Sequence, residues 1–305
     1  MRPKELRTNS NTVAWNCDGK KLLSCGLERG VRGWPLDNFD ERSSFSLTAG
    51  LENPICSVSG HPTLPDALCG ASDRDKKIVF WDFRARNATR SVKTDTAVRS
   101  VQYSADGQIV MLRENGDRES GNSGSDGPDT IALWDVRAGT QSAKVSMRDL
   151  GLGSRFNHNR QLIYVATSIG ELAVVDYPSL KLLAQFNAHV DETTSLAVDV
   201  RGRYLATGGG DALVNLWDPL EWICERTLGA AESRIVGVAS SHDGEWTAGA
   251  CELGYIDIYE TETGLHNARI PQKSNLRSLA WHPSQPILAS SGGDRRNEAW
   301  ISILQ

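Results

Sequence analysis

Residues 204–218 decide the fold, and they read Tyr204-Leu-Ala-Thr-Gly-Gly-Gly-Asp211-Ala-Leu-Val-Asn-Leu-Trp217-Asp218. Two short apolar runs flank a glycine-rich turn that ends on Asp211, which is the pattern of a β-hairpin. The Trp-Asp ending recurs at Trp81-Asp82 and at Trp134-Asp135. Similar segments that return at a fixed spacing indicate a protein built from structural repeats.

Weaker copies extend the repeat along the whole chain and bring the number of endings to seven, at Trp34, Trp81, Trp134, Val175, Trp217, Tyr259 and Leu304. The mean step is about 45 residues, which suits four short strands in each repeat. Asp-Gly turns at Asp18-Gly19, Asp106-Gly107 and Asp243-Gly244 follow alternating apolar strands. The sequence therefore predicts an all-β, seven-bladed WD40 β-propeller that occupies residues 1–305 as one domain.

Two segments depart from the regular repeat. The seventh repeat ends at Gln305 without an outer strand, and we expect residues 4–8 to supply that strand and complete the ring. Residues 113–129 are rich in Gly, Ser and acidic residues and show no periodicity. They predict a mobile acidic loop between two strands of the third blade.

The fifth repeat carries four residues that can form a chain of hydrogen bonds, namely His189, Thr207, Asp211 and Trp217. A carboxylate accepts from an imidazole, the imidazole contacts a hydroxyl, and the hydroxyl accepts from the indole N–H. These residues occupy repeat positions, so a structural tetrad is favoured over a catalytic His-Asp dyad.

Composition and motifs argue against most catalytic and membrane functions. The net charge of −5 does not suit a broad surface for duplex nucleic acid. The six cysteines form no close pairs, which predicts reduced thiols and neither a metal site nor a cofactor site. Gly208-Gly209-Gly210 is not followed by Lys-Ser/Thr, so it does not match a phosphate loop. We expect a soluble intracellular protein that is not an enzyme, with no membrane contact and no small-molecule substrate.

The repeat frame also predicts which side chains surround the central channel on the narrower face. The candidate partner-binding rim consists of Arg74, Arg99, Glu192, Thr194, Arg234 and Arg277. Arginine is enriched at protein–protein hot spots, so the frame predicts a locally positive rim on an acidic protein. Dispersed, solvated arginines are the alternative.

Longer strings resemble one family more specifically. They are Val175-Asp-Tyr-Pro-Ser-Leu-Lys181, Phe186-Asn-Ala-His189, Ser241-His-Asp-Gly244, Ile256-Asp-Ile-Tyr-Glu-Thr-Glu-Thr-Gly264 and Ala280-Trp-His-Pro283. Together with residues 202–218 they resemble the family of THO complex subunit 3, the WD-repeat subunit of the THO complex. The likeness runs through all seven repeats and is densest over residues 172–264.

The resemblance implies a non-enzymatic scaffold in the nucleus. Such a subunit docks on a large helical subunit of the THO complex, within the TREX assembly, which couples transcription to mRNA packaging and export. Contact with RNA would be weak or indirect. The loop 113–129 is longer than we expect for the family, and Arg99 and Arg277 are not among its motif positions.

Two other functions stay open at this point. Trp81-Asp82-Phe83-Arg84 and Trp134-Asp135-Val136-Arg137 match the WDxR motif of substrate receptors of cullin-4 ubiquitin ligases. An arginine that pairs with nearby acidic residues would produce the same string. A propeller that reads peptides such as histone tails is the other alternative, although it would favour an aromatic or acidic rim.

Overall fold

The computed structural model describes residues 4–8, 10–26, 29–48, 50–114, 129–157, 159, 161–272, 275–293 and 299–304. These residues form strands and turns and contain no α-helix. Accordingly, no helix capable of crossing a membrane is found within the described ranges. The strands form seven sheets of four strands each.

Three of the sheets belong to a compact unit of residues Asn9–Asp149. The first sheet consists of β2 (Ser10–Trp15), β3 (Lys21–Gly26), β4 (Val31–Pro35) and β5 (Phe45–Leu47). The second consists of β6 (Ser57–Gly60), β7 (Ala67–Ala71), β8 (Lys77–Asp82) and β9 (Asn87–Lys93). The third consists of β10 (Val98–Tyr103), β11 (Ile109–Glu114), β12 (Thr130–Asp135) and β13 (Thr140–Ser146).

Four sheets belong to a second compact unit, which joins Met1–Thr8 to Leu150–Gln305. The fourth sheet consists of β14 (Leu150–Phe156), β15 (Leu162–Thr167), β16 (Glu171–Asp176) and β17 (Leu182–Asn187). The fifth consists of β18 (Thr193–Val198), β19 (Leu205–Gly209), β20 (Val214–Trp217) and β21 (Cys224–Leu228). The sixth consists of β22 (Ile235–Ser240), β23 (Trp246–Cys251), β24 (Tyr255–Glu260) and β25 (His266–Pro271). The seventh consists of β26 (Asn275–Trp281), β27 (Leu288–Gly293), β28 (Ala299–Leu304) and β1 (Lys4–Thr8).

This arrangement confirms the predicted fold class, a seven-bladed β-propeller. Each predicted ending lies on the third strand of its sheet, from Trp34 on β4 to Leu304 on β28. The Asp-Gly turns also form as predicted, with φ of 72° at Gly19, 72° at Gly107 and 69° at Gly244. Glycine adopts this left-handed conformation at little cost, so the chain can reverse tightly between the first two strands. The prediction of one domain over residues 1–305 stays a prediction.

The N-terminal strand completes the last sheet, as predicted. Strand β1 pairs antiparallel with β28, and Lys4 lies opposite Ile303 while Thr8 lies opposite Ala299. The backbone of β28 therefore has a neighbour on both sides, so the seventh sheet does not end on an unpaired edge at this strand.

Burial differs sharply between the inner and outer strands of each sheet. All five residues of β19 and all four of β20 are buried, whereas β25 alternates between exposed and half-buried residues. Apolar clusters lie between successive sheets of one unit; Leu23, Leu68 and Trp81 share one such cluster. Continuous apolar runs on the middle strands are what burial on both faces requires.

The predicted loop in the third sheet is shorter than the sequence suggests. Arg113 and Glu114 belong to strand β11 and are buried, so the start of the predicted loop is wrong. Glu114 stays in the interior because Lys144 contacts it at 2.7 Å and the Thr130 hydroxyl donates to it at 3.0 Å. Residues 115–128, on which the prediction of mobility rests, lie outside the described residues.

The four residues of the fifth repeat meet in the interior of the fifth sheet. Trp217 Nε1 donates to Thr207 Oγ1 at 3.0 Å, and Thr207 Oγ1 lies 2.8 Å from His189 Nε2. His189 Nδ1 lies 2.9 Å from Asp211 Oδ1. Because the threonine hydroxyl accepts from the indole, it donates its own hydrogen to a neutral histidine, which donates from Nδ1 to Asp211. Burial lowers the pKa of His189, and the opposing effect of Asp211 does not cancel it.

Other sheets keep parts of this arrangement with different residues. In the first sheet, Trp34 Nε1 donates to Ser24 Oγ at 2.8 Å, so serine replaces the threonine. In the second sheet, Asp75 accepts from the backbone N–H of Glu52 at 2.9 Å and from that of Asn53 at 3.1 Å. The turn aspartate therefore holds the incoming chain even where the histidine is missing.

Replacing Thr207 with Val should lower the free energy of unfolding by about 1–3 kcal/mol. The substitution keeps the shape but leaves the Trp217 and His189 nitrogens without their shared partner. Chemical denaturation monitored by fluorescence measures the change. Thr227→Val, at an exposed position of β21 in the same sheet, is the matched control and should change stability by less than about 0.5 kcal/mol. Equal effects of the two substitutions would contradict a structural role for the Thr207 hydroxyl.

Lowering the pH from 7.5 to 5.5 should destabilise the protein through His189. Its pKa is lowered in the folded state by burial, so the unfolded chain binds more protons and stability falls once the pH drops below the ordinary histidine pKa of about 6.5. We expect the loss between these two pH values to be smaller in His189→Gln, measured by denaturation of both proteins. An identical loss in the two proteins would exclude His189 as a source.

Candidate functional site

The strand registers define two ends of every sheet. In the fifth sheet, Thr193 lies opposite Gly209, Gly208 opposite Val214, and Val214 opposite Leu228. The chain enters the first strand at this end, which we call the leading end. The turns that follow the first and third strands lie at the other end, the trailing end.

Three aliphatic side chains project into solvent at the leading ends of the fourth, fifth and sixth sheets. Val190 is 96% exposed, Leu253 is 62% exposed and Ile169 is 55% exposed. Asp211 accepts the backbone N–H of Val190 at 3.1 Å, which fixes the backbone while the side chain stays outside. Ile169 precedes Gly170, whose carbonyl accepts the N–H groups of Ala188 and His189 at 2.9 Å each. Ile169 and Val190 therefore lie on turns that are bonded to each other.

An ion pair lies beside these aliphatic residues. Arg234 Nη2 contacts Glu192 Oε2 at 2.7 Å and joins the leading ends of the fifth and sixth sheets. The carbonyl of Arg234 accepts the N–H of Glu252 at 3.0 Å, which places Leu253 next to the pair. We call Ile169, Val190, Glu192, Arg234 and Leu253 the leading-end surface.

The prediction of a positive, partner-binding rim is wrong in part for Arg234 and for Thr194. Arg234 does not contribute an uncompensated positive charge, because Glu192, another predicted rim residue, neutralises it. Thr194 is 3% exposed and donates its hydroxyl hydrogen to the carbonyl of Gly208 at 2.8 Å. Its side chain holds two strands of the fifth sheet together and does not present a contact to a partner.

The remaining predicted rim residues, Arg74, Arg99 and Arg277, are divided between the two units. Arg277 is exposed near the start of β26, in the same unit as the leading-end surface. Arg74 is exposed and Arg99 is half-buried, and both belong to the unit of residues Asn9–Asp149. Their role in binding stays a prediction.

Features that resemble catalytic or metal sites have structural explanations. The His189–Asp211 pair belongs to the buried hydrogen-bond chain of the fifth sheet. Gly208 and Gly209 end strand β19, and a side chain at Gly209 would collide with the His189 ring at 2.2 Å. All six cysteines are free thiols, and Cys25, Cys69 and Cys251 are buried. Among the described residues, no three His, Cys, Asp or Glu side chains lie where they could hold a metal ion.

Sequence reasoning missed the aliphatic part of the leading-end surface. The sequence does contain a signal for this surface, because Ile169, Val190 and Leu253 occur in turns, where polar residues and glycine are more common. The rim prediction rests on charged residues, and an isolated apolar residue on a surface needs no explanation. Their clustering becomes visible only when the turns are placed side by side.

Comparisons with known proteins agree with the fold and add a relative. A model of the WD domain, G-beta repeat, matches residues 180–218 and 266–299. The chain is 28% identical to THO complex subunit 3 of Arabidopsis thaliana, over 93% of this chain and 87% of that protein. It is 26% identical to WD repeat-containing protein AAC3 of Dictyostelium discoideum, over 93% of this chain and 61% of that protein.

A solved structure extends the comparison to three dimensions. The β-propeller domain of Cps50 (Swd1) from Myceliophteria thermophila matches with a TM-score of 0.80 and 17% identity, and the match covers 99% of both chains. At this identity the match shows the fold alone. The repeat match and the relatives point to a scaffold for protein interactions. The chain has the β-propeller fold, two of its segments match the WD-repeat model, and it is similar to THO complex subunit 3.

Proposed function

We propose that this protein is a non-enzymatic subunit of a THO-like complex in the nucleus, where it supports the assembly of mRNA–protein particles during transcription and the export of mRNA. It docks on a large helical subunit of that complex, within a TREX-type assembly. The observation that carries the proposal is the match to THO complex subunit 3, which extends over 93% of this chain and 87% of that protein. WD repeat-containing protein AAC3 also matches over 93% of this chain but over only 61% of its own length, so the share of the relative that is covered favours THO complex subunit 3.

The leading-end surface gives the proposal a physical basis. Protein–protein interfaces combine a desolvated apolar centre with polar groups at the periphery. Val190, Ile169 and Leu253 supply exposed apolar area, and the Arg234–Glu192 pair lies beside them. A partner helix with an apolar stripe would bury these side chains without separating the ion pair.

The first WDxR motif, Trp81-Asp82-Phe83-Arg84, does not favour the alternative function, a substrate receptor of a cullin-4 ubiquitin ligase. Arg84 contacts Asp82 at 2.7 Å and Asp66 at 3.7 Å, so both of its ion pairs lie within its own sheet. This is the structural explanation of the WDxR string. Arg137, from the second motif, is exposed.

Affinity purification of the tagged full-length chain from nuclear extract, followed by mass spectrometry, tests the proposal. We expect the large helical subunits of a THO complex to co-purify. Recovery of the cullin-4 adaptor in their place would favour the ubiquitin-ligase function, and recovery of histones alone would favour a peptide reader. Either result would contradict the proposed function.

Val190→Asp should reduce the amount of co-purified THO-type subunit about tenfold, because it places a charge in the apolar centre of the interface. Its thermal midpoint should match that of the wild type, because the Val190 side chain is almost fully exposed. Leu265→Asp is the matched control, since Leu265 is 65% exposed in the turn that follows the third strand of the sixth sheet, at the trailing end. Equal loss in both variants would show that the leading-end surface is not the docking site.

The isolated protein should not bind single-stranded RNA measurably, because its net charge is −5 and Arg234 is already paired. Fluorescence anisotropy with a labelled oligonucleotide at 50 and 200 mM salt provides the measurement. Phosphate contacts would produce binding that weakens steeply between these two salt concentrations. Such salt-dependent binding would show that the protein contacts RNA directly and not through other subunits.

A further inference from the structure

The outer parts of the second and third sheets carry basic side chains and no acidic ones. Residues 83–93 form the turn after β8 and the outer strand β9, and residues 136–148 include the turn after β12 and the outer strand β13. These two segments hold seven basic residues, namely Arg84, Arg86, Arg90, Lys93, Arg137, Lys144 and Arg148. The equivalent segments of the first and fifth sheets, residues 36–47 and 218–228, each hold three acidic residues and one arginine. Positive charge is therefore concentrated on two sheets of a protein whose net charge is −5.

Five of the seven basic side chains are exposed and lack a counter-charge in the part of the chain that the structure describes. Arg84 contacts Asp82 at 2.7 Å, and Lys144 contacts Glu114 at 2.7 Å. The other five, which we call the cationic edge, form no ion pair with a described residue; they are Arg86, Arg90, Lys93, Arg137 and Arg148. By contrast, every arginine between residues 193 and 271 contacts a carboxylate, namely Arg201, Arg203, Arg226, Arg234 and Arg269.

Arg90 joins the two sheets at the centre of the cationic edge. Its Nη1 atom donates to the carbonyl of Val136 at 2.6 Å, which places the guanidinium against the peptide bond that links Val136 to Arg137. A side chain at Gly139 would meet Arg90 Nη2 at 1.7 Å, so this glycine leaves the space that the guanidinium occupies. Two basic residues from different sheets are therefore held together at one turn.

The charge of Arg90 stays uncompensated in this arrangement, because a carbonyl is a dipole without net charge. Asp135, at the start of the same turn, accepts from the backbone N–H of Ala138 at 2.7 Å and forms no ion pair with a described residue. Like charges that lie close together repel each other and lower the stability of the folded state. Proteins accept such local costs mainly at functional sites.

The chemistry of the cationic edge favours carboxylates over nucleic acid. The guanidinium groups of arginine donate pairs of parallel N–H bonds to carboxylates and to phosphates. However, the only aromatic residue in segments 83–93 and 136–148 is Phe83, which is 7% exposed, so no ring is available for base stacking. A net charge of −5 also repels a long polyanion, whereas a short acidic segment responds mainly to charges within a Debye length of about 10 Å.

The strand geometry sets the length of chain that could occupy the edge. Arg90 and Lys93 are three residues apart on β9, so their Cα atoms are about 10 Å apart. An extended chain advances about 3.3 Å per residue, so about four residues cover this distance. Strand β9 is also the last strand of its sheet, which leaves room for a ligand beside it.

We propose that the cationic edge binds a short, extended, acidic segment of a partner protein. Its carboxylates pair with Arg90 and Arg137 at the centre and with Arg86, Lys93 and Arg148 around them. This contact deepens the proposed scaffold function, on which it rests, by assigning a second docking surface and the chemistry of its partner. The leading-end surface exposes aliphatic side chains and belongs to the other unit, so the two surfaces suit partners of different chemistry.

Blocked hexapeptides of glutamate and of glutamine test the site in titrations of the full-length protein at 50 and 200 mM salt. The backbone N–H resonance of Gly139, assigned with Gly139→Ala, reports binding because this residue lies against Arg90. We expect a saturable shift with hexaglutamate, an affinity about threefold or more weaker at the higher salt, and no shift with hexaglutamine, because charge supplies the affinity.

Three results of these titrations would overturn the proposal. No saturable shift with hexaglutamate would leave the five cations as protection of exposed strand edges against aggregation. Equal shifts with the two peptides would show that charge does not decide binding. Tighter binding of a single-stranded hexauridylate than of hexaglutamate would assign the edge to nucleic acid.

Two double variants separate the cationic edge from the overall charge. Arg90→Gln with Arg137→Gln should weaken hexaglutamate binding about tenfold or more, while the thermal midpoint stays close to that of the wild type because both side chains are exposed. Arg29→Gln with Arg42→Gln is the matched control, since it removes the same charge from exposed positions of the first repeat, and it should change the affinity less than about twofold. Equal loss in both would refute the site. Failure of hexaglutamate to bind would leave the THO-like function intact, since co-purification judges that function separately.

Discussion

The structure depends on the burial of the two middle strands of each sheet on both faces. A strand whose central residues are all buried, such as β19 or β16, has no face that is open to water. It needs a neighbouring sheet on either side as well as hydrogen-bonded strands at both edges. The outer strands, such as β17 and β25, alternate between exposed and half-buried residues because only one of their faces is covered.

The same constraint explains the polar residues in the interior. A tryptophan on the third strand can carry its N–H into a region without water, where an acceptor on the neighbouring strand stabilises it. Thr207 does so in the fifth sheet and Ser24 in the first. The turn aspartate then holds the chain that arrives from the preceding sheet, through His189 in the fifth sheet and through Asn53 in the second.

The fold could be predicted from the sequence because its determinants are local and repeated. A terminal Trp, a turn Asp and an Asp-Gly turn mark the same positions wherever they occur in a repeat, as Trp217 and Asp211 do in the fifth. One well-conserved repeat therefore shows where the strands of the weaker repeats lie. Even the pairing of residues 4–8 with the last sheet follows, because a strand without a neighbour needs a partner. The start of the long loop was misplaced because Arg113 and Glu114 look like loop residues, and only their contacts keep them in a strand.

The candidate sites were harder to predict because they depend on which turns become neighbours. Arg234 and Glu192 are far apart in sequence, so their ion pair cannot be recognised from either repeat alone. Thr194 occupies a predicted surface position but turns its hydroxyl to the Gly208 carbonyl.

The pairing of β1 with β28 has a consequence for how the protein forms on the ribosome. Residues 4–8 find their partner strand only after residues 299–304 have been synthesised. The other six sheets can assemble before β28 is synthesised, whereas the seventh stays incomplete until then, and pairings between such distant segments form slowly. During that interval the nascent chain exposes an unpaired strand edge, and such edges favour aggregation.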